Sequence, residues 1–159
     1  MKLKSNLVFL FVGLMYGILS ILGNYAYINS FETPILKTVF VPGVFLLFGI
    51  GTVFLTRVGL TLLLWAGAKG MGGSGRLGQI HAQTPVALVP GLLGAPFLIG
   101  IGSGNTLIVL MLLVSIAWMY LISSKILKTT QGISTAKAYI GTLAAFVFLA
   151  CVYYLIVPA

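Results

Sequence analysis

The sequence predicts an all-α polytopic transmembrane helical bundle of five spans, about residues 6–28, 35–68, 80–101, 106–123 and 138–157, with the N-terminus in and the C-terminus out. Three observations predict it. Of the 159 residues, 60% are hydrophobic and 6% are charged, and the mean hydropathy is +1.16; too little polarity remains to cover a surface facing water. The apolar runs are long and continuous, which suits helices rather than the alternating ~10-residue strands of a membrane barrel. Five spans of roughly 20 residues take up about 100 residues, so residues 1–159 read as one transmembrane unit with short connections and no soluble domain.

The first span carries Gly13, Gly17, Ser20 and Asn24 at helical spacing, a face of small and polar residues that permits close helix approach in lipid. Its length, and the lack of a small-x-small cleavage site, argue for an uncleaved span rather than a signal peptide. Asn29 to Pro34 is expected to turn and holds Glu32, the one acid of the chain. The second apolar stretch contains Lys37, Pro42 and Arg57. Either one long tilted helix runs to Ala68, or the span stops near Arg57 and Val58 to Ala68 lies in the interface with Trp65. Lys69 to Gln79 reads KGMGGSGRLGQ, with five glycines in eleven residues, and is the clearest loop. The third span contains Pro85, Pro90 and Pro96, which predict a kinked or locally unwound helix whose freed carbonyls neighbours must satisfy. Gly102 to Asn105 is a short uncharged turn. The fourth span ends near Trp118 and Tyr120, rings suited to an interface. Ser124 to Lys137 is expected to be a polar loop, and the fifth span follows, with Cys151, the one cysteine, inside it.

Nine basic residues against one acid give a net charge of +8. With the N-terminus inside, Lys2, Lys4, Lys69, Arg76, Lys125, Lys128 and Lys137 lie on the cytoplasmic side and Lys37 with Glu32 on the other, the distribution expected of short cytoplasmic loops. These cations therefore point to anionic membrane lipids as partners. Nucleic acid is not expected, because no basic stripe is interleaved with exposed aromatics.

The inventory disfavours catalysis. With no Asp, one Glu, one His and one Cys, a carboxylate pair is impossible and a metal cluster would need almost every candidate ligand at one place. The chain is expected to be no enzyme, with no cofactor and no metal. Gly70 to Arg76 is only loosely like a phosphate loop, since Arg76-Leu77 stands where Lys-Ser/Thr is required. Gly72-Gly73-Ser74-Gly75 with His81 matches the Gly-x-Ser-Gly of rhomboid proteases, but lies in a cytoplasmic loop. His81 reads as an interfacial or hydrogen-bonded side chain. Arg57 is more informative, because a charge at a helix centre costs roughly 2.5–3.5 kcal/mol on insertion scales. It is expected to snorkel to headgroups or to line a cavity open to the cytoplasm. Arg57, Lys69, Arg76, Lys125, Lys128 and Lys137 are the candidate lipid- or partner-contacting residues.

Three separated blocks and one tryptophan resemble one family. Gly72-Gly73-x-Gly75 with Gln79, then Pro90-Gly91-Leu92-Leu93-Gly94, then Trp118, and finally Gln131-Gly132-Ile133-Ser134-x-x-Lys137-Ala138 are similar to the Yip (Ypt-interacting protein) domain family. The resemblance covers about Gly72 to Ala138 and implies a non-enzymatic five-span bundle with a membrane-organising or adaptor role. In eukaryotes that family is associated with Rab GTPases. This chain departs from that pattern, with about five residues before its first span and no Asp-Leu-Tyr-Gly-Pro-like segment, so GTPase binding is not implied. The shortness resembles a prokaryotic member in the cell membrane. Beyond lipid, the partners left open are a membrane protein and a second copy of the chain. The alternative is a small transporter, channel or lipid-moving protein with Arg57 near its substrate site, favoured by the prolines and the intramembrane charge.

Overall fold

The computed structural model describes residues 2–101 and 104–156. Its elements, in chain order, are α1 (Lys2–Gly23), a short α2 (Tyr25–Asn29), a π-helical turn (Leu36–Phe40) running into α3 (Val41–Gly70), α4 (Leu77–Leu88), α5 (Gly91–Leu98), α6 (Thr106–Gln131) and α7 (Thr135–Ile156). Among the described residues, four helices are long and apolar enough to cross a membrane: Lys4–Gly23, Leu36–Gly70, Thr106–Gln131 and Thr135–Val152. This is an integral membrane architecture. Large apolar side chains such as Leu47, Phe48, Leu55, Leu110 and Leu113 face outward, as a lipid solvent requires.

α3 is the spine, packing on α1, α4, α6 and α7. Glycine makes two of these crossings possible. A Cβ at Gly49 would lie 2.5 Å from the Gly17 amide nitrogen and 2.8 Å from the Gly13 carbonyl oxygen, so α1 and α3 touch backbone to backbone. A Cβ at Gly67 would lie 2.5 Å from the carbonyl oxygen of Gly141, which sets α7 against the end of α3. Apolar burial cannot drive helix association when the solvent is lipid, and close backbone contact takes its place. The seam between α3 and α4 is polar: the Thr61 and Thr84 hydroxyls meet at 3.0 Å, both buried.

Several expected boundaries move. The first span ends at Gly23, where Asn24 interrupts the helix and its side-chain amide donates to the Ser20 carbonyl. The long second stretch is one helical run through Arg57 and Trp65 to Gly70, not a span followed by a separate interfacial helix. At about 1.5 Å per residue its 35 residues measure about 52 Å, more than the ~30 Å hydrocarbon, so it tilts or projects. The wide π turn precedes Pro42, which lacks the N–H that a regular helix would offer to the Thr38 carbonyl.

The expected third span, 80–101, is two helices. α4 ends at Leu88 and α5 begins after Pro90, because Pro90 has no N–H to give. The expected loop from Ser124 to Lys137 is corrected to the turn between α6 and α7. Ser123, Ser124, Ile126 and Leu127 are buried on a helical face, so packing carries α6 on past the polar composition to Gln131. Gly132, at φ +65°, then ends it in the left-handed conformation. The expected turn at 102–105 lies partly outside the described residues, as does the end of the last span at Val157.

Candidate functional site: a basic end built on interlocked turns

The starts of α1, α4 and α7 and the ends of α3 and α6 meet at one end of the bundle. Lys69 closes α3, Arg76 precedes α4, Lys125 and Lys128 lie in the last turns of α6, and Lys137 lies in the first turn of α7. Lys4 joins them, lining a groove with Lys125. Glu32 and Lys37 lie before α3, away from this end.

Two of the motif blocks meet here. The loop between α3 and α4 bends at Gly72, whose φ of +84° favours glycine, and then lies on the end of α6. The Ser74 amide donates to the Gln131 carbonyl at 3.3 Å. A Cβ at Gly75 would fall 2.0 Å from the Thr130 carbonyl oxygen, and one at Gly73 would fall 2.9 Å from that of Ala68 and 3.1 Å from Gln131 Cβ. Only glycine permits these approaches. The Lys69 ammonium donates to the Gly73 carbonyl at 3.0 Å, bracing the loop from the α3 side. Gln79 braces it from the α4 side, its Oε1 accepting from the Arg76 amide at 3.1 Å and so satisfying one free donor of the helix start. Gln131 is 1% exposed, and neither atom of its amide has a hydrogen-bond partner. In the second block Ser134 starts α7, its Oγ accepting from the Lys137 amide at 3.4 Å, while Ala138 is buried against the core.

The other motif residues serve the helix break. The Ser115 hydroxyl donates to the Pro90 carbonyl at 2.8 Å, and Gly94 lets α5 close on α6, since a Cβ there would sit 3.0 Å from Leu112 Cδ1 and 3.2 Å from Ser115 Oγ. Trp118 is half exposed on the outer face of α6 and contributes to neither cluster.

Arg57 departs from the expectation that it reaches headgroups or an open cavity. It is 7% exposed, with its guanidinium turned inward between α1 and α4. One Nη donates to the His81 carbonyl at 3.1 Å and approaches Ser5 Oγ at 3.5 Å, and the group lies over the Phe9 ring at 5.4 Å. The His81 carbonyl needs a donor because Pro85, four residues on, has no N–H. The intramembrane charge therefore satisfies the carbonyl that a proline freed. His81 takes part through its backbone, and the Arg57 Nε remains without a partner.

Sequence reasoning did not single out Ser5 or Ser115, and named Lys4 and Gln131 only in a charge count and a motif. For Ser115 the available signal was a polar side chain inside an apolar run, which marks a site needing a partner without saying which. No family model, no curated protein and no solved structure matches this chain.

Proposed function

We propose that this chain is a non-enzymatic, Yip-like membrane-organising or adaptor protein of the prokaryotic cell membrane that presents its basic end to the cytoplasm. The observation that supports it best is the interlock of Gly73 and Gly75 with Thr130 and Gln131. The glycine loop lies backbone to backbone on the end of α6, and so gathers Lys69, Arg76, Lys125, Lys128 and Lys137 at one end of the bundle from three chain segments. A concentrated basic face suits contact with anionic headgroups and with a membrane partner. The fifth crossing would be α4 and α5 together, whose 12 and 8 residues add up to about 30 Å of helix, the thickness of the hydrocarbon. With that crossing, the excess of cations at the basic end supports an N-terminus in and a C-terminus out. Reporter fusions after Ser74 and Gln131 are expected to read cytoplasm and one after Ala159 the exterior; a cytoplasmic Ala159 would remove the five-span model.

Transport is the second reading, and one observation favours it. A cavity of about 220 Å³ lies beside the α4–α5 break, lined by Tyr16, Leu88, Gly91, Gly94 and Ser115, and broken helices often flank substrate sites. The cavity is apolar and the Arg57 guanidinium is turned to a backbone carbonyl, which favours the organiser. Cross-linking and capture from native membranes in mild detergent separates the two. The organiser is supported by a membrane-protein partner that is lost when Arg76, Lys125 and Lys128 are neutralised together. Absence of any partner, combined with solute flux in proteoliposomes that Arg57→Ala abolishes, would replace it with transport.

A further inference from the structure

At the basic end, a groove of about 560 Å³ runs between α1, α4 and α6. The α1 and α4 walls change from polar to apolar over one helical turn, and the α6 wall ends in an apolar residue. On α1 Lys4 and Ser5 are followed by Val8, on α4 Gln83 by Val86, and on α6, which runs the other way, Thr129, Ile126 and Lys125 are followed by Ile122. Val86 is half exposed, so the groove opens on the outer surface of the bundle. Charge at its polar end is one-sided. Lys4 and Lys125 line it and are exposed. Arg57 lies directly behind, touching the Ser5 hydroxyl that forms the groove wall, with its Nε unpartnered. The chain has one acid, Glu32, away from this end. An anion that balances Lys4 and Lys125 therefore comes from outside the chain. The apolar lower walls select which anion: a phosphate carrying hydrocarbon is solvated along the whole groove, whereas a small hydrated anion leaves Val8, Val86 and Ile122 uncovered.

We propose that this groove is a specific site for an anionic phospholipid of the surrounding membrane, with its phosphate between Lys4 and Lys125 and an acyl chain along Val8, Val86 and Ile122. The proposal goes beyond the organiser reading, because it follows from the groove whichever partner the basic end meets.

The test uses the full chain in detergent micelles doped with phosphatidylglycerol or phosphatidylcholine, with retained lipid counted by native mass spectrometry. The unsubstituted chain is expected to retain one phosphatidylglycerol in preference to phosphatidylcholine. The Lys4→Gln/Lys125→Gln double variant is expected to lower that retention at least tenfold, and Lys128→Gln/Lys137→Gln, which removes the same charge outside the groove, less than twofold. Val86→Trp keeps every cation and fills the apolar part, and is expected to displace the lipid as well. Equal loss in the two charge-neutralised pairs would overturn the proposal in favour of diffuse attraction to a basic surface. Displacement of the lipid by millimolar inorganic phosphate, or retention unaffected by Val86→Trp, would overturn it in favour of a site for a water-soluble anion. Because the readout is bound lipid in micelles, it does not depend on the orientation or protein partner on which the organiser reading rests.

Discussion

Replacing Gly49 with valine is expected to force α1 and α3 apart and to cause the largest loss of stability of any single substitution considered. Even the first added carbon would lie 2.5 Å from the Gly17 nitrogen and 2.6 Å from its Cα, and both obstacles are backbone that no rotamer change can move. Overpacking that side chains can absorb costs roughly 1–3 kcal/mol. Here whole helices must separate, so a loss of more than about 3 kcal/mol is expected, or a fall in melting temperature of more than about 6 °C in detergent. Gly51→Val is the control, since it lies two residues along the same helix with nothing within 4 Å of its would-be Cβ. It should melt like the unsubstituted chain. Indistinguishable melting of Gly49→Val and Gly51→Val would mean that α1 does not cross α3 at these glycines.

The second large effect concerns Arg57, and it is conditional on Pro85. Neutral hydrogen bonds between helices in membranes average about 0.6 kcal/mol, whereas a bond from a charged donor contributes roughly 1.5–3 kcal/mol. Arg57→Ala removes a charged donor and leaves the His81 carbonyl orphaned in a part-buried seam, so a loss of about 2 kcal/mol is expected. Pro85→Ala restores an N–H four residues after His81, so α4 can satisfy its own carbonyl. In that background Arg57→Ala should cost less than half as much, and Arg57→Lys, which keeps one donor, should fall between. Thermal melts of the four corners of the double-mutant cycle measure the coupling directly. An equal loss in both backgrounds would show that Arg57 acts through Phe9 or Ser5 and not through the carbonyl.

The two substitutions test different parts of the inference from sequence. Gly13 and Gly17 announced a close-packing face by their spacing, but their partner, Gly49, lay in a glycine-rich stretch with nothing to distinguish it from Gly43 or Gly51. Similarly, the three prolines announced freed carbonyls and Arg57 announced an intramembrane cation. Nothing along the chain said that one answers the other. That pairing spans 24 residues and exists because α3 and α4 pack antiparallel through a tight glycine loop.

Hydropathy determined by itself that the chain lives in lipid as helices, because solvation by hydrocarbon follows from composition and run length whatever the packing. Charge counting likewise gathered most of the cations at one end, since that sum needs only the order of the segments. Tertiary structure decided the rest. The polar stretch from Ser124 to Gln131 is helical because Ser123, Ser124, Ile126 and Leu127 are buried against neighbouring helices, and composition cannot report that burial. The expected third span is two helices because Pro90 can continue a helix only where a neighbour compensates it, and Ser115 of α6 instead satisfies the carbonyl at the break. Arg57 turned inward for the same physical reason: in a medium without water a cation and an orphaned carbonyl each lower the other's cost, but only the packed bundle brings them to 3.1 Å.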